Sequence, residues 1–413
     1  MKKVHGVSSY RRLTIVVVTL IILSTSCRKD EGTSFTYYRS SERLLTYKTS
    51  YVTSLINSMA GFYPRVDTLN NFVDAGINVY SMIYKTAVEG NDIDASGLVC
   101  FPDQEGEYPV LCFLNGTNTM NAYAPSNFVI SSDYQFIEFI ASMGFIVIIP
   151  DYPGFGESSG IPHPYLVKEP TVSSVIDMIR AVNESSASIQ SGIKASNKVY
   201  LSGYSQGGWA AMAVHEALEK NFSAEFDLSG TVCGAGPYDI MFLLENIATQ
   251  ASYPMPVYFG YIINAYNAYN QFDNQLSEIL NPPYDGRVLA LYDGKHEMSY
   301  INSQLTTNIS DLLAPGFITG FGTGSSYSVL RQSLADNSIT PYKTTVPLFL
   351  FHGGSDTQVL TEVTEHFYEA MRQAGTMDNV IRKKIYPGLD HGDAAVPGLF
   401  EGLLFLLGLN SGN

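Results

Sequence analysis

The pentapeptide Gly203-Tyr204-Ser205-Gln206-Gly207 restricts how this chain can fold more than any other segment. It lies between an apolar run that ends at Leu201 and a segment of small residues from Gly208 that favours a helix. At such a strand-to-helix turn the serine takes a strained backbone conformation, and the two glycines leave space for the crossing strand and helix. The pattern therefore predicts a nucleophile elbow that exposes the Ser205 hydroxyl. Because chance gives this pattern in about one chain in five of this size, other segments must support it.

The length and composition of the chain limit its class. With 413 residues, 45% of them hydrophobic, it can bury a large core, which favours one enlarged domain or a core with a folded insertion. The formal net charge is -15. Because nucleic-acid binding requires clustered cations that neutralise phosphates, this charge argues against a nucleic acid as partner.

Residues 1–26 have the pattern of an export signal. Cationic residues precede an uncharged, mostly apolar run from Leu13 to Leu23, which is shorter than the roughly 20 residues that span a bilayer. Cys27 follows at the position of the modified cysteine of a bacterial lipoprotein signal. We therefore expect an exported protein that a lipid on Cys27 anchors to a membrane of the bacterial cell envelope. The alternative is ordinary cleavage nearby, without a lipid.

Short β-rich runs with helical patterns between them predict an α/β fold. Several runs, such as Val110–Leu114, are continuously apolar, as central parallel strands covered on both faces require. Helical patterns at Val172–Asn183 and Trp209–Lys220 indicate strands that alternate with helices through right-handed crossovers. We expect a mostly parallel eight-stranded sheet flanked by helices. The predicted strands are Ile77–Thr86, Ile93–Phe101, Tyr108–Leu114, Phe145–Ile149, Lys198–Leu201, Leu228–Cys233, Val346–Phe351 and Val380–Tyr386.

The predicted elements divide the chain into a core and an insertion. Residues 27–75 are expected to form a polar linker to about Ser41 and then a helical segment to Ala60, and residues 76–235 and 341–413 are expected to form the α/β core. The interval 236–340 is rich in aromatic residues and has no convincing parallel strand, so it must be a folded insertion. We expect a mainly helical cap over the carboxyl ends of the strands, where open α/β sheets bind ligands. The alternative is a packed helical subdomain without a lid role.

Ser205 requires two partners, because a serine hydroxyl hardly ionises at neutral pH and needs a base that a third group orients. Asp356 follows a predicted strand, and His391 lies in the loop after the last predicted strand. The order Ser, Asp, His is that of α/β-hydrolases, and it predicts these three residues as a catalytic triad. Asp390 is the alternative acid, although a residue adjacent to the histidine can rarely orient its ring.

Two backbone N–H groups are predicted to stabilise the oxyanion that develops on an attacked carbonyl. One belongs to Gln206, which follows the serine at the start of a helix. The other belongs to Thr117, in the loop after the third predicted strand, where the alternative is an ordinary Asn-Gly turn. This chemistry requires no metal and no organic cofactor, and no Cys/His spacing suggests a zinc site.

Three cysteines remain after Cys27, and all lie in apolar segments: Cys100, Cys112 and Cys233. An odd number cannot pair fully. Cys100 and Cys112 are on consecutive predicted strands, so they could form a disulfide in an oxidising compartment, or all three could be buried free thiols.

These segments together resemble the secretory lipase family of α/β-hydrolases. The resemblance spans about Ile77 to the C-terminus and implies hydrolysis of carboxylic esters, including acylglycerols, with Ser205, Asp356 and His391 as triad and a helical cap before the acid-bearing strand. It also implies oxyanion donors at Thr117 and Gln206, and it gives no role to His163. The resemblance is carried by Pro150-Asp151-Tyr152, His163-Pro164-Tyr165-Leu166, residues 175–181, Gly203-Tyr204-Ser205-Gln206-Gly207-Gly208 and the acid and histidine loops.

The expected activity is therefore that of an exported, lipid-anchored serine hydrolase that forms an acyl-enzyme, with a small-molecule ester or acylglycerol as substrate. One alternative is a serine peptidase, or an esterase that removes acetyl or feruloyl groups from glycans, on the same triad. The aromatic cap favours an apolar acyl chain over these substrates. A second alternative is a surface binding lipoprotein without catalysis. The default oligomeric state is a monomer.

Overall fold

The architecture is a mixed β-sheet flanked by helices, in a computed structural model that describes residues 34–127 and 132–412. Nine strands of these residues form one sheet, in the order β1-β2-β3-β5-β4-β6-β7-β8-β9. The strands are β1 (Tyr38–Tyr47), β2 (Ile77–Val88), β3 (Asn91–Pro102), β4 (Gly106–Leu114), β5 (Ile146–Pro150), β6 (Ile193–Tyr204), β7 (Asp227–Gly234), β8 (Leu348–Gly353) and β9 (Ile381–Tyr386).

The pairing of the strands changes once across the sheet, from antiparallel to parallel. Strands β1, β2, β3 and β5 pair antiparallel in that order, whereas β5, β4, β6, β7, β8 and β9 pair parallel. The parallel part carries its loops at the carboxyl ends of the strands on one edge, where α/β sheets bind ligands. The predicted α/β sheet, mostly parallel in its central and later strands, is confirmed.

The predicted count of eight strands is wrong, because residues 38–47 form a ninth strand where the sequence predicted a linker and the start of a helix. Strand β1 pairs with β2 in a register that places Tyr47 opposite Ile77. As an edge strand it is only partly buried, so its sequence lacks the apolar pattern that marks the other strands. The helical segment itself begins at Thr49 and ends at Met59.

Helices cover both faces of the sheet. The α-helices of the described residues are α1 (Thr49–Met59), α2 (Ser132–Glu138), α3 (Lys168–Ile189), α4 (Gln206–Asn221), α5 (Ile240–Thr249), α6 (Pro256–Ala268), α7 (Leu276–Ile279), α8 (Tyr284–Leu291), α9 (Met298–Gln304), α10 (Ile309–Leu312), α11 (Pro315–Gly320), α12 (Ser328–Asn337), α13 (Thr361–Gln373) and α14 (Ala395–Asn410). One buried cluster joins the sheet to α3, α4 and the helices from α5 to α12. A second cluster joins the opposite face to α1 and α14.

The chain between β7 and β8 is helical. It contains α5 to α12, and it packs through buried aromatic side chains such as Phe259, Tyr266 and Phe317. These helices lie in the interval 236–340, which the sequence predicts to be a cap. The boundaries of the core and cap, and the role of the cap as a lid, stay predictions.

The structure decides between the two states that the sequence allows for the cysteines. Cys100 pairs with Val147 of β5, and Cys112 pairs with Ile148 of the same strand, so β5 lies between the two cysteine-bearing strands. Strands two apart in a sheet are about 9.5 Å apart, beyond the reach of a disulfide. Cys100, Cys112 and Cys233 are buried free thiols.

No helix of residues 34–127 and 132–412 is long and apolar enough to cross a membrane. The predicted export signal, residues 1–26, and the predicted lipidation site, Cys27, lie outside the described residues.

Candidate active site

The turn at Ser205 has the geometry predicted for a nucleophile elbow. Ser205 lies between the end of β6 and the first residue of α4, with φ 58° and ψ -123°. A side chain at Gly203 would collide with the Gly207 carbonyl, and one at Gly207 would collide with the Leu114 carbonyl. Because both neighbours are backbone atoms of the crossing elements, only glycine fits at these two positions.

The structure brings the three predicted residues into one hydrogen-bonded chain. The Nδ1 atom of His391 lies 2.6 Å from Asp356 Oδ2, and its Nε2 atom lies 2.9 Å from Ser205 Oγ. Because an ionised carboxylate can only accept, Nδ1 carries the proton and Nε2 is free to accept the serine hydroxyl. The imidazole is thereby held in the tautomer that a base for Ser205 needs.

The carboxyl of Asp356 is held in its ionised state. Its Oδ1 atom accepts hydrogen bonds from the backbone N–H groups of Gln358 and Val359, at 2.8 and 3.0 Å. Burial alone would raise its pKa, but hydrogen bonds from His352 and His391 outweigh burial and hold the pKa of Asp356 well below its usual range. The alternative acid, Asp390, instead accepts from the backbone N–H of Asp393.

His352 is a partner of the acid that sequence reasoning missed. It is fully buried, and its Nε2 atom lies 3.0 Å from Asp356 Oδ2 and 2.9 Å from the Val359 carbonyl oxygen. Both are acceptors, so Nε2 carries the proton, and Nδ1 accepts from the Thr364 hydroxyl at 2.7 Å. The only signal in the sequence is its position four residues before Asp356 on the same strand exit.

Tyr204 links the elbow to the histidine loop, which the sequence also did not show. Its hydroxyl donates to the backbone carbonyl of His391 at 2.5 Å, and the two rings lie 5.2 Å apart. The residue before the serine therefore fixes the backbone of the predicted base.

The two predicted oxyanion donors belong to Gln206, directly after Ser205, and to Thr117, whose neighbour Gly116 is close to Ser205. Gln206 is the first residue of α4, so its N–H has no partner within the helix. Thr117 follows Gly116, at which an added Cβ would lie 3.9 Å from Ser205 Cβ. Among the described residues, no backbone carbonyl accepts from the N–H of Thr117 or Gln206. Both N–H groups are thus free of a backbone acceptor.

The family model of the secretory lipases matches residues 121–386, a span that includes Ser205 and Asp356 and ends before His391. The chain belongs to the secretory lipase family. The resemblance inferred from the sequence is confirmed. No curated protein matches this secretory lipase family member in sequence.

Solved structures with the same fold cover most of this secretory lipase family member. A presumed hydrolase from Legionella pneumophila has a TM-score of 0.79 at 25% identity over 91% of this chain and 98% of its own. The rice cell wall degrading esterase LipA from Xanthomonas oryzae has a TM-score of 0.75 at 23% sequence identity, over 91% of this chain and 97% of its own. Candida antarctica lipase A in its closed state has a TM-score of 0.64 at 16% sequence identity, over 91% of this chain and 82% of its own. Together with the family match, they identify the fold as that of α/β-hydrolases and the chain as a lipase- or esterase-like hydrolase acting on esters.

A cavity of about 670 Å³ opens at the loop that contains Thr117. Its lining combines residues 115–119 of that loop with Glu297, Met298 and Ser299 from the interval predicted as the cap. Phe113, Tyr123 and Tyr134 add aromatic surface. The lining residue Gly116 is close to Ser205, because a Cβ added at Gly116 would lie 3.9 Å from Ser205 Cβ.

The helical interval of this lipase family member also holds the acid loop. The hydroxyl of Tyr253 donates to the Gln358 carbonyl at 2.8 Å, and the hydroxyl of Tyr258 donates to the Gln358 side-chain oxygen at 3.1 Å. Gln358 in turn donates its N–H to Asp356. Among residues 34–127 and 132–412, no group of His, Cys, Asp and Glu side chains has the arrangement of a metal site.

Proposed function

We propose that this protein is a serine ester hydrolase that forms an acyl-enzyme on Ser205, with His391 as base and Asp356 as the acid that orients it. The observation that carries the proposal is the unbroken hydrogen-bonded chain from Ser205 Oγ through His391 to Asp356. Its distances are those that nucleophile activation requires. The membership of the secretory lipase family supports an ester as the substrate.

In the first half-reaction Ser205 Oγ attacks the ester carbonyl carbon while its proton moves to His391 Nε2. The imidazolium that forms is stabilised by Asp356, which stays ionised. The tetrahedral intermediate collapses as the carbon–oxygen bond to the alcohol breaks, and the alcohol leaves with the proton from Nε2. Water then attacks the acyl-enzyme and gives its proton to Nε2, and collapse of the second intermediate releases the carboxylic acid and restores the Ser205 hydroxyl.

The backbone N–H groups of Thr117 and Gln206 are proposed to stabilise the oxyanion in both intermediates. The N-terminus of α4 adds a favourable dipole at the same place. Donors that are fixed before the reaction stabilise the transition state more than the substrate, since the negative charge is largest there.

The proposed substrates are esters with an apolar acyl group, including acylglycerols. Aromatic residues and Met298 around the cavity support this class. The names of the structural neighbours, a cell wall degrading esterase and a lipase, also support esters over peptides. Turnover of p-nitrophenyl acetate and a long-chain homologue, without turnover of a chromogenic peptide, is the expected result. Turnover of the peptide alone would contradict the proposal.

Labelling with a fluorophosphonate tests the nucleophile. The Ser205 oxygen displaces fluoride from phosphorus, so the wild-type protein should gain one label and lose esterase activity. Ser205→Ala should take no label and lose about 10⁴-fold or more in kcat, whereas Ser223→Ala, an exposed serine near the end of α4, should behave as wild type. A wild-type protein that neither reacts with the probe nor cleaves esters would support the binding lipoprotein instead.

We also propose that the protein is exported and held at a membrane of the cell envelope by a lipid on Cys27. The support is the pattern of residues 1–27 and the secretory character of the family. Mass spectrometry of the mature protein should find an N-terminal Cys27 with acyl chains. An unmodified N-terminus would show ordinary cleavage.

A further inference from the structure

His163 is tied to a predicted oxyanion residue by its side chain. Its Nδ1 atom lies 2.8 Å from the Pro153 carbonyl oxygen, and its Nε2 atom lies 2.8 Å from the side-chain nitrogen of Gln206. A carbonyl only accepts, so Nδ1 carries the proton and Nε2 accepts from the Gln206 amide. The neutral ring therefore holds the side chain of Gln206, whose backbone N–H is a proposed oxyanion donor.

Tyr165, two residues later, is tied to the other predicted donor. Its hydroxyl lies 2.9 Å from the Thr117 hydroxyl. Thr117 is separated from Tyr165 by 48 positions in sequence, and Gln206 from His163 by 43. One short segment, His163–Tyr165, thus contacts both halves of the proposed oxyanion hole.

We propose that His163 and Tyr165 are positioning residues that hold the two oxyanion donors in place, His163 through the side chain of Gln206 and Tyr165 through the side chain of Thr117. This inference rests on the proposed function of the site. Neither side chain contacts the reacting atoms, so each acts through the residue that it holds.

The surroundings of His163 keep its ring neutral, as this role requires. The ring is buried among the rings of Tyr152, Phe155, Tyr165 and Tyr261, with centroid distances from 4.9 to 6.1 Å. Burial lowers the pKa of His163 to about 4. At neutral pH its Nε2 atom therefore stays an acceptor for the Gln206 amide.

The helical interval completes this arrangement through Tyr261 of α6. The Tyr261 ring stacks on Tyr165 with centroids 4.4 Å apart and planes 6° apart. Its hydroxyl donates to the carbonyl of Asn118, the residue after Thr117, at 3.2 Å. The loop that carries the Thr117 donor is therefore held by both Tyr165 and the helical interval.

Four single variants test the inference on the full chain with a chromogenic ester. His163→Phe and Gln206→Leu each remove one side of the first contact, and Tyr165→Phe and Thr117→Val each remove one side of the second. Loss of an entire oxyanion donor costs about 10²–10³-fold in kcat, so misplacement of one should lower kcat by about 10- to 100-fold with KM changed less than about 2-fold. The Ki of an alkyl boronic acid, whose anionic tetrahedral adduct with Ser205 mimics the intermediate, should rise by a similar factor.

Two further measurements separate positioning from general damage to the fold. If His163 acts through the Gln206 side chain, the double variant His163→Phe/Gln206→Leu should match either single variant rather than multiply their effects. His163→Gln, which can donate and accept, should restore part of kcat. Tyr269→Phe is the matched control, because the Tyr269 hydroxyl donates to the carbonyl of Pro162, the residue directly before the segment, at 2.7 Å. Its kcat should stay at the wild-type value.

The inference and the proposed function fail in different ways. Wild-type kcat and unchanged boronic acid Ki in both His163→Phe and Tyr165→Phe, in a protein whose activity depends on Ser205, would overturn the positioning role alone. Multiplied effects in the double variant would also overturn it. If His163→Phe does not fold, Tyr165→Phe and Gln206→Leu carry the same test. Absence of ester turnover and probe labelling in the wild-type protein would overturn the proposed function itself.

Discussion

At the scale of single residues, the predicted acid of the site, Asp356, is hydrogen-bonded to a second histidine, His352. Asp356 accepts from His391 and His352 on the same oxygen atom and from two backbone N–H groups on the other. The prediction of Asp356 rests on its position after a strand and before the late histidine. The role of His352 was not predictable, because a histidine on a strand exit is equally able to pack as a neutral core residue, and its partners Val359 and Thr364 meet it only after the loop has folded back.

Replacement of His352 by leucine should remove a hydrogen bond that stabilises the ionised carboxylate of Asp356. A hydrogen bond to a charged group contributes about 1.5–3 kcal/mol, so His352→Leu should lower kcat by about 10-fold or more. The lowered pKa of folded Asp356 stabilises the protein above the unfolded pKa, and this contribution is lost as pH falls through the folded pKa. In the variant this stabilisation should begin to disappear at a higher pH. The midpoint pH of acid unfolding, measured by circular dichroism, should therefore rise. His366 is an exposed histidine of α13, so the control variant His366→Leu should change neither kcat nor the pH of acid unfolding.

Glu138 at the end of α2 is a carboxyl that the fold buries without a partner of good geometry. It is 0% exposed, and neither oxygen forms a hydrogen bond with the described residues, although the nearby Tyr47 hydroxyl partly favours its charged form. Burial raises its pKa from 4.5 to about 7. The folded protein thus binds the proton more tightly than the unfolded chain, and stability falls as pH rises from about 4.5 to about 7.

Glu138→Gln should remove this dependence. The variant should match the wild type near pH 4 and exceed its free energy of unfolding by about 2–3 kcal/mol at pH 8. Urea unfolding at the two pH values measures the difference. An equal difference at both pH values would show that ionisation of Glu138 is not its cause.

At the scale of elements, the local sequence predicts some strands and turns better than others. Strand β5 and the Val110–Leu114 part of β4 are continuously apolar and buried on both faces, so their sequences mark them. Strand β1 instead depends on a partner distant in sequence: the Glu184 carboxylate of α3 accepts from the backbone N–H groups of Thr36, Tyr37 and Tyr38 at 2.6–3.0 Å. The elbow is marked locally, because its glycines are required by the backbone of the crossing elements.

Glu184→Ala should loosen the start of β1. Loss of a carboxylate that holds backbone donors should cost about 1–3 kcal/mol. Hydrogen exchange followed by mass spectrometry should show faster exchange in residues 36–47 than in the wild type. Glu169→Ala, which removes an exposed carboxylate from the first turn of the same helix, is the control and should leave that exchange unchanged.

Gly207→Ala should disrupt the elbow. The added methyl would meet the Leu114 carbonyl, so β4 and α4 would have to separate, and activity should fall by more than about 100-fold because near-attack geometry is lost. The free energy of unfolding should also fall. Gly286→Ala is the matched control, since its Cβ would meet nothing within 4 Å in the exposed face of α8. That change should leave activity intact and stabilise the protein by about 0.5–1 kcal/mol.

At the scale of the whole molecule, the order of strands decides properties that local sequence leaves open. Strand β5 inserts between β3 and β4, which are consecutive in the chain. This arrangement separates Cys100 from Cys112 and places them in different core clusters. Burial raises the pKa of both thiols, so the reactive thiolate is scarce.

The described cysteine thiols should therefore be unreactive in the native protein. Without reductant, the three described cysteines should not react with a thiol reagent in the native protein. All three should react after denaturation. A fourth reactive thiol on denaturation would be an unmodified Cys27. Protection of Cys100 and Cys112 after denaturation, reversed by reductant, would show the disulfide that the strand order excludes.

The sequence by itself determined the α/β class, indicated the eight core strands and the turn at Ser205, and predicted Ser205, Asp356 and His391 as the catalytic residues. Apolar runs, turn glycines and loops at strand ends are local features, and in a parallel sheet the carboxyl ends of neighbouring strands meet at one edge. Only the tertiary structure decided the ninth strand, the separation of the cysteines and the contacts of His163, Tyr165 and His352. These depend on which elements meet once the chain has packed. The pairings of His163 with Gln206 and of Tyr165 with Thr117 each cross more than forty residues and leave no pattern in the sequence near either partner.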